Sequence, residues 1–377
     1  MNKINEITIN TEKFGKIIFI VYENLYIGIT LEKGPRILFL GIINKNDLFN
    51  EIISKNNEII EKLIYNNYNI LRPIDLNFDF NNNLKYELIG GHRLWLAPEN
   101  KIESYIPDSN EINFKKFYFN DNFLYIFSNI YKYQDYFHEK GFIISSINKI
   151  EDNNFKSLYQ FDIINFCLNL SKKEIYRSLW GITLLNGKGE IYFPILKSDE
   201  NNLNPLYNIV IWPYNDDNLK KNIKIISFNK SSFKDIFKYI KIFETNNSKK
   251  IYKIIKVKND WMKNKKFGFY INSNLAIYSN KNYIFIKNIS KEIDKSFLNR
   301  IDNIIIKEKN ISNLSLYNEK MFNDYNNDNN YLFPDLFTNF QTYLSKNYIE
   351  LESLSQIFKI EPNKTSYSKE KWAIALK

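Results

Sequence analysis

Phe117 to Tyr125 reads FYFNDNFLY: two aromatic, alternating runs on either side of Asn120-Asp121-Asn122. Side chains that alternate with period two lie on opposite faces of an extended chain, and Asn and Asp tolerate the dihedrals of a tight turn, so this stretch predicts a β-hairpin. Ser145 to Phe161 repeats the pattern around a polar corner at Glu151–Asn154. Further alternating or apolar runs cover Lys16–Tyr22, Leu25–Leu31, Arg36–Ile43, Ser157–Leu170, Glu190–Ile195, Tyr207–Trp212, Asn222–Phe228, Leu275–Tyr278, Asn282–Lys287 and Asn347–Leu351. Short strands recurring at this interval predict an all-β fold. Helical spacing is confined to Ile52–Tyr68 and Ser231–Phe243, and the first is read as a helical insertion over 50–72 in a single large domain spanning 1–377. No Gly/Pro/Ser-rich linker and no fixed-period repeat divides the chain.

The 377 residues include 44% hydrophobic side chains, 30 Phe and 27 Tyr, ample to build a core. One Cys and two His exclude a Cys/His zinc site, an iron–sulfur cluster and a disulfide framework, and no spacing identifies another metal. The absence of GxGxxG and GxxxxGK[ST] removes the usual nucleotide signatures, so no cofactor is expected. HExxH and GxSxG are missing as well. The net charge of +10 is spread through Asn- and Ile-rich sequence and forms no block, which argues against nucleic acid as a partner. With neither a leader-like N-terminus nor an apolar run of membrane length, no membrane association and a cytoplasmic location are expected.

Two short segments concentrate chemistry. In this Gly-poor chain, Gly90-Gly91-His92-Arg93-Leu94-Trp95-Leu96-Ala97-Pro98-Glu99 places an imidazole, a guanidinium, an indole and a carboxylate directly after paired glycines. On a strand His92 shares a face with Leu94 and Leu96, while Arg93 shares the other with Trp95 and Ala97; the two polar groups face apart unless the glycines introduce a bulge. In Tyr348-Ile349-Glu350-Leu351-Glu352-Ser353-Leu354, Glu350 and Glu352 share one face, which either meets solvent or lines a pocket.

These segments, taken with Gly34-Pro35-Arg36-Ile37, Leu179-Trp180-Gly181-Ile182-Thr183, Lys266-Phe267-Gly268 and Phe333-Pro334-Asp335 in this order, resemble the galactose mutarotase-like superfamily, in a bacterial branch distantly related to aldose 1-epimerases. The resemblance implies a β-supersandwich whose concave face holds a small-molecule carbohydrate. In such epimerases a C-terminal Glu takes the proton of the anomeric hydroxyl while a His protonates the ring oxygen, which requires both within reach of one sugar. Glu352 best matches the Glu, with Glu350 as fallback, and His92 is the available acid. The second epimerase His, on a central strand, has no counterpart in Leu179–Thr183.

Arg93, Trp95, Glu99, Trp180, Glu350 and Asp335 are the candidate substrate-binding residues for such a sugar. Arg93 has two readings, a bidentate contact to an acidic sugar or a pair with Glu99. Trp95 and Trp180 stack on a sugar or fill the core. Asp335 binds hydroxyls or builds a turn. A non-catalytic sugar-binding or sensing domain on the same fold is the alternative function.

Overall fold

Period-two patterning becomes regular strand along the computed structural model, which describes residues 4–43, 64–65, 68–80, 84–98, 112–119, 122–133, 136–196, 208–212, 224–227, 240–244, 251–258, 264–290 and 338–377. In chain order the strands are β1 (Asn5–Thr11), β2 (Gly15–Tyr22), β3 (Leu25–Thr30), β4 (Ile37–Ile42), β5 (Pro73–Phe80), β6 (Leu84–Gly90), β7 (His92–Ala97) and β8 (Ile112–Phe119). There follow β9 (Asn122–Tyr133), β10 (Tyr136–Ile150), β11 (Ser157–Asn169), β12 (Ile175–Asn186), β13 (Glu190–Leu196), β14 (Asn208–Trp212), β15 (Lys224–Ser227) and β16 (Ile240–Glu244). The last are β17 (Ile251–Lys258), β18 (Lys265–Phe269), β19 (Leu275–Ser279), β20 (Tyr283–Ser290), β21 (Phe340–Leu344), β22 (Tyr348–Ile360) and β23 (Thr365–Leu376).

They form two large antiparallel sheets and a hairpin. Among the described residues the first sheet has 11 strands in the order β1-β2-β3-β4-β7-β12-β22-β21-β18-β14-β15, and the second has 10 in the order β16-β17-β13-β19-β20-β23-β11-β10-β9-β8. The hairpin is β5-β6. Apolar residues from both sheets, among them Ile27, Phe127, Phe285 and Leu351, form one buried cluster, so the sheets pack as the two layers of a sandwich. The expected all-β class is borne out. Both hairpins read from sequence are present: β8 and β9 pair Tyr118 with Phe123, and β10 and β11 pair Ile150 with Leu158.

Local helical spacing did not decide Ser231–Phe243. Within it, Ile240–Phe243 belongs to strand β16, where pairing with β17 overrides the spacing of a short apolar run, and 231–239 lie outside the described residues. The insertion expected over 50–72 also lies largely outside them. Its last residues join the sandwich, Leu71 making a β-bridge to Leu185 while the Asn69 amide bonds to the backbone of Leu38, Ile64, Leu40 and Leu71.

Candidate functional site

Registry brings the two chemical segments together in the middle of the first sheet. Arg93 of β7 aligns with Ile182 of β12, Ile182 with Glu352 of β22, and Glu352 with Gln341 of β21. Because side chains alternate, this row shares its face with Trp95, Trp180 and Leu354 on one side and with Leu184, Glu350, Tyr343, Lys266 and Trp212 on the other. This face points away from the second sheet, and Trp95, Trp180, Ile182, Leu184 and Leu354 form an apolar cluster of their own on it.

The glycines set where β7 begins. Gly90 and Gly91 have φ of 82° and 67°, and a β-carbon on Gly91 would lie 2.3 Å from the carbonyl oxygen of Ile37. Only glycine permits both the left-handed dihedral and that approach. The Gly91 amide donates to the Arg72 carbonyl and its own carbonyl accepts from Leu184 N–H, which anchors the strand start against β12. The glycines do not turn His92 round. Its ring lies between the sheets, 4.6 Å from the Trp372 ring and 6.0 Å from that of Phe142, both from the second sheet.

Glu352 and His92 are therefore not brought together, since they stand on opposite faces of one sheet. His92 is fully buried, and its Nδ1 is 2.9 Å from Thr183 Oγ1. Burial first, then the positive charges of Lys287 and Arg93, hold its imidazole well below the usual histidine range. A neutral core histidine results.

On the other face Glu352 is 0% exposed. Its Oε2 accepts from the Trp180 indole N–H at 2.8 Å and is 3.0 Å from Lys266 Nζ. Lys266 lies over two indoles, 4.5 Å from the Trp180 ring centre and 5.4 Å from that of Trp212. The second carboxylate repeats this arrangement: Arg93 Nη2 is 3.7 Å from Glu350 Oε1, and the guanidinium stacks 4.5 Å over Trp95. Trp95 and Trp180 meet edge to face at 5.6 Å. Among the described residues the result is a quartet of two carboxylates and two cations with the cations on indole faces, a setting that offsets the desolvation of buried charge. Burial, followed by the charge of Glu350, pushes the Tyr343 hydroxyl up to about 12 and raises Tyr348 further, so both remain neutral phenols.

Next to the quartet, along the same strands, lies a pocket of about 210 Å³. Ala97, Leu354 and Ile357 give it apolar wall, Ser178 and Gln356 contribute polar groups, and Tyr270, 58% exposed, stands at it. No Asp, Glu, Lys, Arg or His lines it among the described residues. Among those residues there is also no group of three or more His, Cys, Asp or Glu that could hold a metal ion, and no helix long and apolar enough to cross a membrane.

Of the residues singled out in the sequence, Glu352, Glu350, Arg93, Trp95 and Trp180 share this face, His92 does not, and Glu99 and Asp335 lie outside the described residues. The pairing of Arg93 with Glu350 was not foreseen. Lys266 and Trp212 were also missed as site residues, although Lys266 lies in a strand whose alternation puts it opposite the apolar Phe267.

No protein-family model matches this chain, and no curated protein matches it. Among solved structures, a TPR-domain containing protein from Parabacteroides distasonis aligns with TM-score 0.48 and 8% identity over 96% of this chain and 47% of its own. The chain thus spans about half the length of that protein. A galactose mutarotase-like protein from Clostridium acetobutylicum aligns with TM-score 0.42 and 11% identity, covering 100% of this chain and 99% of its own. Another from Lactobacillus casei aligns with TM-score 0.41 and 9% identity over 99% and 100%. The class of protein is defined here by the sheets themselves: a two-layer antiparallel β-sandwich with a charged, indole-lined row on the outer face of one layer.

Proposed function

We propose that this face binds a carbohydrate of about one sugar ring, and that the protein acts as a sugar-binding or sensing domain. The observation that carries the reading is the adjacency of a small pocket, uncharged among the described residues that line it, to the buried Glu352–Lys266–Trp180 cluster. At about 210 Å³ the pocket is below the roughly 300–1,000 Å³ of sites for drug-sized ligands, which suits a single ring. Sugars combine apolar C–H faces with hydroxyls, and the pocket answers both with the Ala97, Leu354 and Ile357 wall, the phenol of Tyr270 and the amide of Gln356.

Binding without turnover is favoured because the acid expected to protonate the ring oxygen, His92, faces the core. Anomer interconversion is the second reading. It is favoured by Lys266, whose ammonium, 3.0 Å from Glu352, makes a proton donor and acceptor adjacent on one face.

One experiment separates them. The protein is titrated with a panel of neutral hexoses, uronic acids and sugar phosphates while its melting temperature and the anomer exchange rate are recorded. Binding predicts a melting temperature that rises with one sugar, by an amount corresponding to about 2.7 kcal/mol at a hundredfold excess over Kd, with exchange at the rate of buffer. Faster exchange that Glu352→Gln abolishes supports the enzyme. A panel that produces neither effect overturns both.

A further inference from the structure

Behind the ligand face, between the sheets, lies a second set of charges. Lys287 of β20 and Glu370 of β23 belong to the second sheet and are 0% and 2% exposed. Lys287 Nζ is 3.2 Å from Glu370 Oε2 and donates to three groups on the first sheet: Ser353 Oγ at 2.8 Å, Thr183 Oγ1 at 3.1 Å and the Gly181 carbonyl at 3.2 Å. Ser353 Oγ donates to Glu370 Oε1 at 2.7 Å, and Asn165 Nδ2 and Trp372 Nε1 complete the carboxylate at 2.9 and 2.8 Å. Gly181 makes room for this contact, because a β-carbon there would lie 2.6 Å from Glu370 Oε1.

We infer that Lys287 and Glu370 are positioning residues for the ligand face, holding from behind the strand pair that carries Trp180 and Glu352; this rests on the reading that the face binds carbohydrate. Gly181 and Ser353 are register partners, and each is the chain neighbour of one site residue, Trp180 or Glu352, whose side chain points the opposite way. The same strand pair carries a register shift between Ser178 and Trp180. A bulge bends and twists its strand, so the aim of Trp180 onto Glu352 depends on what fixes the pair just beyond it. The Lys287–Glu370 bolt is attached at that point. Its burial is not explained by stability, because replacing a buried ion pair by uncharged groups of similar volume is often neutral or stabilising.

The test is the double variant Lys287→Met/Glu370→Gln, which removes both charges and keeps volume. Two readouts are taken at a temperature where circular dichroism shows the protein folded: the indole N–H resonance of Trp180, assigned with Trp180→Phe, and the affinity for the sugar that stabilises the wild type. The Trp372 resonance loses a direct bond to Glu370 and is not diagnostic.

Positioning predicts a displaced Trp180 resonance and an affinity about two- to thirtyfold weaker, the range by which residues that do not touch a ligand modulate its site. A purely structural role lowers the melting temperature and leaves both readouts unchanged, which overturns the inference. Should no sugar bind the wild type, the carbohydrate reading fails, and the Trp180 resonance alone decides positioning: displaced supports it, unchanged refutes it. If the double variant does not fold, Ser353→Ala, which deletes one hydroxyl of the bolt, is read by the same two criteria.

Discussion

Lys266→Met isolates the energetics of the ligand face. Lys266 Nζ stands 3.0 Å from Glu352 Oε2, with 5% and 0% of the two side chains exposed, so the substitution takes an ammonium away from a carboxylate in the interior. Breaking a buried pair from one side costs about 3–5 kcal/mol, and the indole N–H of Trp180 still donates to the same oxygen, which points to about 3 kcal/mol. Unfolding entropy of about 2.1 cal/mol/K per residue over 377 residues is roughly 0.8 kcal/mol/K, so the melting temperature should fall by about 4 °C. Differential scanning calorimetry of wild type, Lys266→Met, Glu352→Gln and the double variant reads the effect. The double variant should regain most of the loss, because no bare charge remains to be desolvated. If Lys266→Met lies within about 0.5 kcal/mol of wild type, the range of an ordinary surface substitution, or if the double variant is no better than the single, the ion pair is not coupled as described.

Three further outcomes are expected. Gly181→Ala should lower stability by about 1–3 kcal/mol in urea unfolding, since its methyl would meet Glu370 Oε1 at 2.6 Å and Ser353 Oγ at 2.9 Å; an unchanged midpoint would show that the sheets give way freely there. Trp180→Phe removes the N–H that Glu352 Oε2 accepts and should cost about 1.5–3 kcal/mol, the worth of a hydrogen bond to a charged group, whereas a neutral effect would deny that bond its role. The third outcome concerns acid. The His92 imidazole is held below its ordinary value, so the unfolded chain takes up a proton as pH falls through about 6.5 and the folded protein does not; stability present above that pH is lost on acidification, by up to about 1.4 kcal/mol per pH unit. Unfolding of His92→Gln between pH 7 and pH 5 should therefore show a shallower slope than wild type, and coincident slopes would contradict a buried neutral imidazole.

Period-two alternation made much of this readable. It placed Glu350 with Glu352, and it set His92 against Arg93 on opposite faces, as the sheet has them. What alternation does not reveal is which face meets the second sheet. The epimerase resemblance pairs His92 with Glu352, whereas the register partner across from Ile182 and Glu352 is Arg93. Lys266, Lys287 and Glu370 are not legible as site residues for a related reason. A lysine or glutamate in an alternating run reads as solvent-facing, and only the long-range order β18-β21-β22, or the facing of β23 against β12, puts a partner on it. The Ile240–Phe243 end of the helical-looking stretch followed the same logic, with β17 supplying hydrogen bonds that local spacing cannot anticipate.

The strand order has a consequence for biosynthesis. β22 and β23 follow each other in the chain, yet β22 is inserted between β12 and β21 of one sheet and β23 between β11 and β20 of the other. As a nascent polypeptide leaves the ribosome, both layers present open seams in their middle until these two neighbouring segments arrive together. Translation stalled before residue 348 would leave a product with four unsatisfied central edges, those of β12, β21, β11 and β20, a natural client for chaperones and a template for aggregation.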